Sequence, residues 1–166
     1  MIFADIPADD SVFIDANVFV YDFGPDPIFG LPCRALLERV EQGEVKGYIS
    51  AHVLHEAAHR LMTLEACKTF GWPYAGIGRR LRSHPRELQQ LHRYRDALDE
   101  IVGSGAMVLS VSAREVLLAG DLSRSHGVLS GDALILAVMQ IHGLVNLASS
   151  DADFDRVSGI QRFAPL

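Results

Sequence analysis

The fold is decided by residues 11–15, SVFID, in which three consecutive apolar side chains are followed by an acid. A short apolar run of this kind is typical of a strand that is buried on both faces. The polar residues that follow, Asp15-Ala16-Asn17, predict a turn where the strand ends. This stretch therefore predicts a buried strand that places an acidic side chain at one edge of a sheet.

Strand-like and helix-like segments alternate along the rest of the chain. Apolar residues at helical spacing, with Gly as the usual stop signal and Ser130 as a cap, predict helices at 31–43, 51–70, 85–102, 113–125, 130–142 and 151–157. Short apolar segments predict strands at 47–50, 106–111 and 144–148 and an edge strand at 160–163, and residues 71–78 resemble a loop. Alternating strands and helices are joined by right-handed crossovers. We therefore expect an α/β fold, a three-layer α/β/α sandwich with a central, mostly parallel sheet.

Length and composition limit the class of protein. A chain of 166 residues suits one domain, so we expect a single domain over 1–166 with a longer, helical, Arg-rich segment at about 63–105. The longest apolar run, 133–139, is far shorter than the roughly 20 residues that span a bilayer. The first ten residues contain no Lys or Arg, unlike a secretory signal, and two cysteines are too few for a disulfide framework. We expect a cytoplasmic protein without a membrane partner.

The basic residues are unevenly distributed. The net charge is −6, which argues weakly against nucleic acid, but six arginines lie between residues 79 and 95 beside a single acid. At helical spacing Arg82, Arg86 and Arg93 would lie near one another on one helix face. A solvated helix face is the ordinary explanation, and a phosphate-binding face is the functional one. The candidate residues for binding a nucleic-acid backbone are Arg79, Arg80, Arg82, Arg86 and Arg93.

Four acids from distant segments lie near the predicted carboxyl ends of strands. They are Asp15, Glu56, Asp132 and Asp151. Each alone has an ordinary explanation as a turn, helix-start or solvated residue. Carboxylates that share one edge of a sheet repel one another and need a cation or a proton to coexist. Oxygen ligands of this type favour Mg²⁺ or Mn²⁺.

The acids lie within a pattern that resembles a known family. The segments FIDANVFVY at 13–21, AHVLHEAAHRL at 51–61, GDALILAVM at 131–139 and LASSDADF at 147–154 are similar, in order and separation, to the four acidic blocks of a PIN domain. The resemblance implies a metal-dependent endoribonuclease, often the VapC-type toxin of a toxin–antitoxin pair. Its partners would be RNA, an antitoxin protein and a second copy of the chain. The segment at 63–105 is longer and more Arg-rich than in compact toxins of this type.

The same resemblance implies roles for individual residues. Asp15 and Asp132 would bind Mg²⁺ or Mn²⁺ directly, and Glu56 and Asp151 would complete the catalytic set. The supporting polar residues would be Asn17, Ser149, Asp153 and Asp155.

A second hypothesis comes from a different class of enzyme. His55, Glu56 and His59 form a literal H-E-x-x-H motif on a predicted helix, which is the signature of a zinc metallopeptidase. The extended motif would need Gly at 62 and His at 65, where this chain has Met62 and Glu65. The peptidase hypothesis also leaves the other three acids unexplained, so we favour the nuclease.

A third hypothesis is a non-catalytic PIN scaffold that binds RNA or a partner protein. Trp72 and Tyr74, in the loop at 71–78, could stack on bases. We expect instead that they attach the loop to the core.

Overall fold

The computed structural model describes all 166 residues. Its centre is a five-stranded sheet in the order β3-β2-β1-β4-β5, in which every neighbouring pair is parallel. The strands are β1 (Ser11–Ile14), β2 (Lys46–Ser50), β3 (Met107–Leu109), β4 (Asn146–Ala148) and β5 (Gln161–Phe163). The five strands fall within or next to the predicted segments.

The structure contains eight α-helices. They are α1 (Ala16–Phe23), α2 (Gly30–Glu41), α3 (Ala51–Phe70), α4 (Ile77–Ser83), α5 (Pro85–Leu88), α6 (Arg93–Gly103), α7 (Ala113–His126) and α8 (Ser130–Ile141). Helices α1, α2, α3 and α6 pack together, and α7 packs with α8. Right-handed crossovers place these two groups on opposite faces, because the chain reverses its direction across the sheet after β3. The fold is the three-layer α/β/α sandwich that the sequence predicts.

The reversal of strand order positions the functional site. The chain moves outward from β1 to β2 and β3, and then returns to β4 on the other side of β1. Ile14 at the end of β1 is in register with Ala148 at the end of β4, and the Asp15 N–H donates to the Ala148 carbonyl at 3.0 Å. In open parallel sheets the crevice at such a switch point, outside the carboxyl ends of the strands, is where ligands bind.

Two hydrophobic cores hold the chain together. The main core lies around the sheet and includes Phe13, Phe19, Phe154 and Phe163, all essentially without solvent exposure. A second, smaller core attaches the Arg-rich segment to the carboxyl-terminal half of α3, and its buried members are Ala66, Ile77, Leu81 and Leu91.

The structure corrects four local predictions. The expected turn at 15–17 is the start of α1, and Asp15 is the residue before its first turn. The helix expected over 85–102 is two helices, α5 and α6, and the loop expected over 71–78 ends inside α4. Ser130 is the first residue of α8 and does not cap it, since Leu129 occupies the cap position.

The aromatic residues of the 71–78 segment behave differently from each other. Trp72 packs against Phe70 and His84, with ring centroids 4.7 and 5.1 Å apart, and the Arg80 guanidinium lies 5.6 Å from its ring centre. Trp72 therefore attaches the segment to the core, as expected. Tyr74 is 65% exposed, so the same expectation was wrong for it.

None of the helices combines the length and the apolar character that crossing a membrane requires.

Candidate active site

Asp15 is held in a buried hydrogen-bond network at the junction of β1 and β4. Its Oδ2 atom accepts from the Ser149 hydroxyl at 2.6 Å and also from the side-chain amide of Asn17. The Asn17 amide also donates to Ser149 Oγ at 3.0 Å, and Asn17 Oδ1 accepts from the Ser150 N–H at 3.2 Å. Asp15, Asn17 and Ser149 are all buried. These contacts fix the orientation of the Asp15 carboxylate through Oδ2.

Ser149 also connects Asp15 to Asp151. Its hydroxyl oxygen accepts from the Asp151 N–H at 3.0 Å while the hydroxyl donates to Asp15. Asp151 precedes a short 3₁₀ helix, Ala152–Arg156, and its Oδ1 accepts from the Asp153 N–H at 2.8 Å. Two acids that follow different strands are therefore positioned by one serine.

Burial makes the Asp15 carboxylate unfavourable in this position. Loss of hydration raises its pKa to about 6, and the nearby Glu56 carboxylate also acts to raise it, while the Ser149 hydrogen bond and Arg60 oppose the shift. A buried carboxyl group with a raised pKa in a crevice is a frequent property of functional sites.

Asp132 lies in the first turn of α8 and is half-buried. Partial burial raises its pKa, and the carboxylates of Asp151, Glu56 and Asp153 raise it further. These mutual effects show that acids from β1, α3, α8 and the segment after β4 share one region of negative potential. The structure thus brings together the four acids Asp15, Glu56, Asp132 and Asp151.

Glu56 reaches this region from the second turn of α3. Its Oε1 lies 3.6 Å from an Arg60 nitrogen, and its Oε2 lies 4.0 Å from His52 Nε2. The three side chains follow one another at four-residue spacing along a helix that begins at the carboxyl end of β2. The sequence analysis gave neither His52 nor Arg60 a role in the site.

The donor set suits a hard divalent cation. It consists of carboxylate oxygens, which Mg²⁺ and Mn²⁺ prefer, and burial together with neighbouring carboxylates raises the pKa values of Asp15 and Asp132. No three His, Cys, Asp or Glu side chains converge closely enough to surround an ion by themselves. An ion held here would therefore keep several water ligands, as Mg²⁺ does in many enzymes.

Asp153 and Asp155 have other partners. Asp153 pairs with Arg156, although it is close enough to raise the pKa of Asp132. Asp155 forms two hydrogen bonds with Arg162, of 2.7 and 2.8 Å, which lower the pKa of Asp155. Arg162 also donates to the Ser149 carbonyl at 3.1 Å, so Asp155 supports the end of β4 and is not among the carboxylates acting on Asp132.

The five candidate RNA-binding arginines lie on three helices. Arg79, Arg80 and Arg82 belong to α4, Arg86 to α5 and Arg93 to α6. The expectation that Arg82, Arg86 and Arg93 share one helix face was therefore wrong. All five are exposed and none forms an ion pair, whereas six of the other eight arginines do.

His55 and His59 of the H-E-x-x-H motif are both exposed on α3. The glutamate between them faces Asp15, Arg60 and His52.

Glu65, at the place of the third ligand in the extended zinc motif, has a different role. Its carboxylate accepts the N–H groups of residues 92, 93 and 94 at 3.0, 3.1 and 3.0 Å, and so caps α6.

Comparisons with known proteins place the chain in a family. The family model for the PIN domain matches residues 12–160. The ribonuclease VapC2 of Methanocaldococcus jannaschii is 23% identical over 156 residues, which cover 92% of this chain and 93% of that protein.

Two solved structures have a similar fold. One is VapBC2 from Rickettsia felis bound to a DNA fragment from its promoter, with a TM-score of 0.58 and 17% identity over 93% of this chain and 98% of that one. The other is a toxin–antitoxin complex from Klebsiella pneumoniae, with a TM-score of 0.55 and 18% identity over 93% and 98% of the two chains. The family match spans nearly the whole sheet and every acid of the site, and on this basis the chain belongs to the PIN domain family.

Proposed function

We propose that this protein is a metal-dependent endoribonuclease that hydrolyses phosphodiester bonds in single-stranded RNA. The observation that carries the proposal is the meeting of Asp15, Glu56, Asp132 and Asp151 at the switch point of the sheet. Membership of the PIN domain family and the similarity to a ribonuclease support it. A cytoplasmic location, as expected from the sequence, is part of the proposal, because the RNA substrate would be present there.

Asp15 and Asp132 are the proposed ligands of Mg²⁺ or Mn²⁺, and Glu56 and Asp151 complete the set. A divalent ion supplies a more acidic bound water and screens the negative charge of the phosphate. Ser149 and Asn17 hold Asp15 in one orientation through hydrogen bonds to Oδ2. Arg60, which is partly exposed beside Glu56, adds positive charge at the edge of the acidic region.

The five unpaired arginines are the proposed track for the RNA strand. They are close in sequence to Ile77, Leu81 and Leu91 of the small core, whose fourth buried member is Ala66 of α3, ten residues beyond Glu56. Ten residues of α-helix span about 15 Å, so the strand would follow α3 for roughly that distance from the acids. Arginine without an acidic partner is suited to this role because its guanidinium can bind a phosphate through two N–H groups.

An antitoxin partner is part of the proposal, because solved structures with this fold include toxin–antitoxin complexes. A surface hollow of about 300 Å³ between α1, α2 and α6 offers a place for such a partner. Its lining includes the apolar Phe19 and Leu37, the paired Arg34 and Asp22, and three further acids, Glu38, Glu41 and Glu100. This combination suits a basic segment that carries an apolar side chain. A homodimer remains an expectation from the family.

The test is cleavage of a labelled single-stranded RNA with Mg²⁺ or Mn²⁺, with and without EDTA. Wild type should give products with 5′-phosphates only when the metal is present, and Asp132→Asn should be inactive. Asp121→Asn removes the same charge from an exposed site on α7 and should remain fully active. Cleavage in EDTA, or by Asp132→Asn, would contradict the mechanism. Binding of RNA without cleavage under any metal would favour the non-catalytic scaffold.

A further inference from the structure

His52 carries the only buried side-chain nitrogen or oxygen in the protein that lacks a hydrogen-bond partner, and that atom is Nε2. A buried polar atom left unpaired costs about 1–3 kcal/mol, so such atoms are rare and need an explanation. The explanation here is local, because the atom lies beside the acidic region described above.

Two groups lie close to Nε2. A Cβ atom at position 131 would lie 3.5 Å from it, so the first turn of α8 lies against the ring. Glu56 Oε2 lies 4.0 Å from the same atom. A distance of 4.0 Å is too long for a hydrogen bond. The terminal torsion angle of a Glu side chain is only weakly restricted, so a small rotation of the carboxylate would bring Oε2 within hydrogen-bond distance. The Glu56 carboxylate is the acceptor that the surroundings of Nε2 provide.

The other oxygen of Glu56 faces Arg60. Oε1 lies 3.6 Å from that guanidinium, so the carboxylate lies between two donors on the same helix, four residues before it and four residues after it. Each donor approaches a different oxygen. This arrangement can fix the plane of the carboxylate, which neither donor could do alone.

We infer that His52 is a positioning residue that donates from Nε2–H to Glu56 Oε2 and so orients Glu56 toward Asp15 and Asp132. This role rests on the proposed function, because it serves the same acidic site. His52 acts through Glu56 and does not touch the RNA. Loss of a partner that orients a group at a metal site typically weakens metal binding or activity by about 10–100-fold.

The first experiment reads the tautomer of His52 directly in wild type. Two-dimensional ¹H–¹⁵N NMR of the histidine rings at pH 7.5, with His52 assigned through His52→Gln, should show hydrogen on Nε2. A ring with hydrogen on Nδ1 alone would overturn the inference, because Nε2 would then have nothing to donate. This measurement requires no RNA cleavage, and the tautomer is read in wild type rather than in a variant.

The second experiment compares three variants by Mn²⁺ calorimetry and RNA cleavage. His52→Phe keeps the ring shape and removes the donor, so the Kd for Mn²⁺ should rise and kcat should fall, each by about tenfold, with KM unchanged. His52→Gln can donate from a similar position and should recover most of both losses. His55→Phe changes the exposed histidine one turn along the helix and should match wild type.

The outcomes separate the two proposals. Wild-type Mn²⁺ affinity and kcat in His52→Phe, or equal losses in His52→Gln and His52→Phe, would overturn the role of His52. If wild type binds Mn²⁺ but cleaves no RNA, the proposed function fails, and the tautomer and the Mn²⁺ affinities still decide whether His52 positions Glu56.

Discussion

The Ser149 hydroxyl donates a 2.6 Å hydrogen bond to Asp15 Oδ2 across the junction of β4 and β1. The same hydroxyl oxygen accepts from the Asn17 amide and from the Asp151 N–H. All of its hydrogen-bonding capacity is therefore used, and Ser149 has no solvent exposure. One small side chain joins the acid after the first strand to the acid after the fourth.

Replacing Ser149 by alanine should therefore affect both stability and activity. Ser149→Ala takes a partner from the buried Asn17 amide, from the part-buried Asp151 N–H and from the Asp15 carboxylate, and we expect a loss of about 1–3 kcal/mol in the free energy of unfolding. Activity should fall by about 10–100-fold because Asp15 is no longer oriented. Urea unfolding and steady-state cleavage measure the two effects.

Ser150→Ala is the matched control. The Ser150 hydroxyl makes one long bond, 3.3 Å to Tyr21 Oη, and its N–H still reaches Asn17 in the variant. We expect it to lose less than about 1 kcal/mol and to retain activity. Similar losses in the two variants would mean that the Ser149 network has no special importance.

The second prediction concerns the pH dependence of stability. The pKa of Asp15 is about 6 in the folded chain, against the ordinary aspartate value of 3.8, so the folded chain binds this proton more tightly than the unfolded chain does. The stabilisation from the protonated group is present below about pH 4 and is lost as pH rises through about 6. A difference of about two pKa units corresponds to about 3 kcal/mol. We therefore compare the free energies of unfolding of Asp15→Asn and wild type in EDTA. As pH rises from 4 to 7.5, the value for the variant should increase by about this amount relative to the value for wild type.

Asp155→Asn should show the opposite trend. The hydrogen bonds from Arg162 lower the pKa of Asp155, so its contribution is present above its unfolded pKa and is lost as pH falls through the lower folded value. The variant should lose stability relative to wild type as pH rises. Unfolding curves at several pH values test both variants, and a difference for Asp15→Asn that does not change with pH would contradict the assignment of a raised pKa.

The positions of the acids could be predicted from the sequence because each depends on local information. An apolar strand followed by Asp15 or by Ser149-Ser150-Asp151 places an acid at a strand end, and alternating elements imply that these ends share one edge. The start of α1 was missed because Asp-Ala-Asn is equally typical of a turn and of a helix start.

Other features depend on contacts between distant segments, which no local pattern contains. Helix α6 begins at Arg93 because the Glu65 carboxylate on α3 accepts three N–H groups there. The role of His52 likewise depends on Gly131 of α8, which covers its ring nitrogen. The arginines share no single helix because the chain breaks at His84 and again at 89–92.

The third prediction separates the nuclease from the zinc peptidase. His55 and His59 are exposed, and Glu56 faces the acids, so neither histidine is part of the proposed site. We expect His55→Ala/His59→Ala to retain metal-dependent RNA cleavage within about twofold of wild type, since surface substitutions rarely change stability by more than about 0.5 kcal/mol. Elemental analysis of purified wild type should find no stoichiometric zinc. One tightly bound zinc per chain that the double variant loses would favour the peptidase.

The last prediction concerns the unpaired arginines. Arg82→Ala/Arg86→Ala removes two exposed guanidinium groups, from α4 and α5, that have no acidic partner within the protein. If both bind phosphates, the variant should show a higher KM for RNA and a log KM against log salt slope that is flatter by about 1.4, roughly 0.7 for each contact. The value of kcat at saturating RNA should change little, because Arg82 and Arg86 lie on α4 and α5, which attach to the carboxyl-terminal half of α3, whereas Glu56 lies in its second turn.

Arg114→Ala/Arg124→Ala is the control that separates phosphate contacts from net charge. These two arginines are also exposed and unpaired, but both lie on α7, on the opposite face of the sheet from α3. The control changes the net charge by the same amount, so it should alter KM and the salt slope much less. Equal effects in the two double variants would show that long-range charge, and not a defined track, attracts the RNA. No effect in Arg82→Ala/Arg86→Ala would mean that the strand follows another path and that the basic segment serves a different partner.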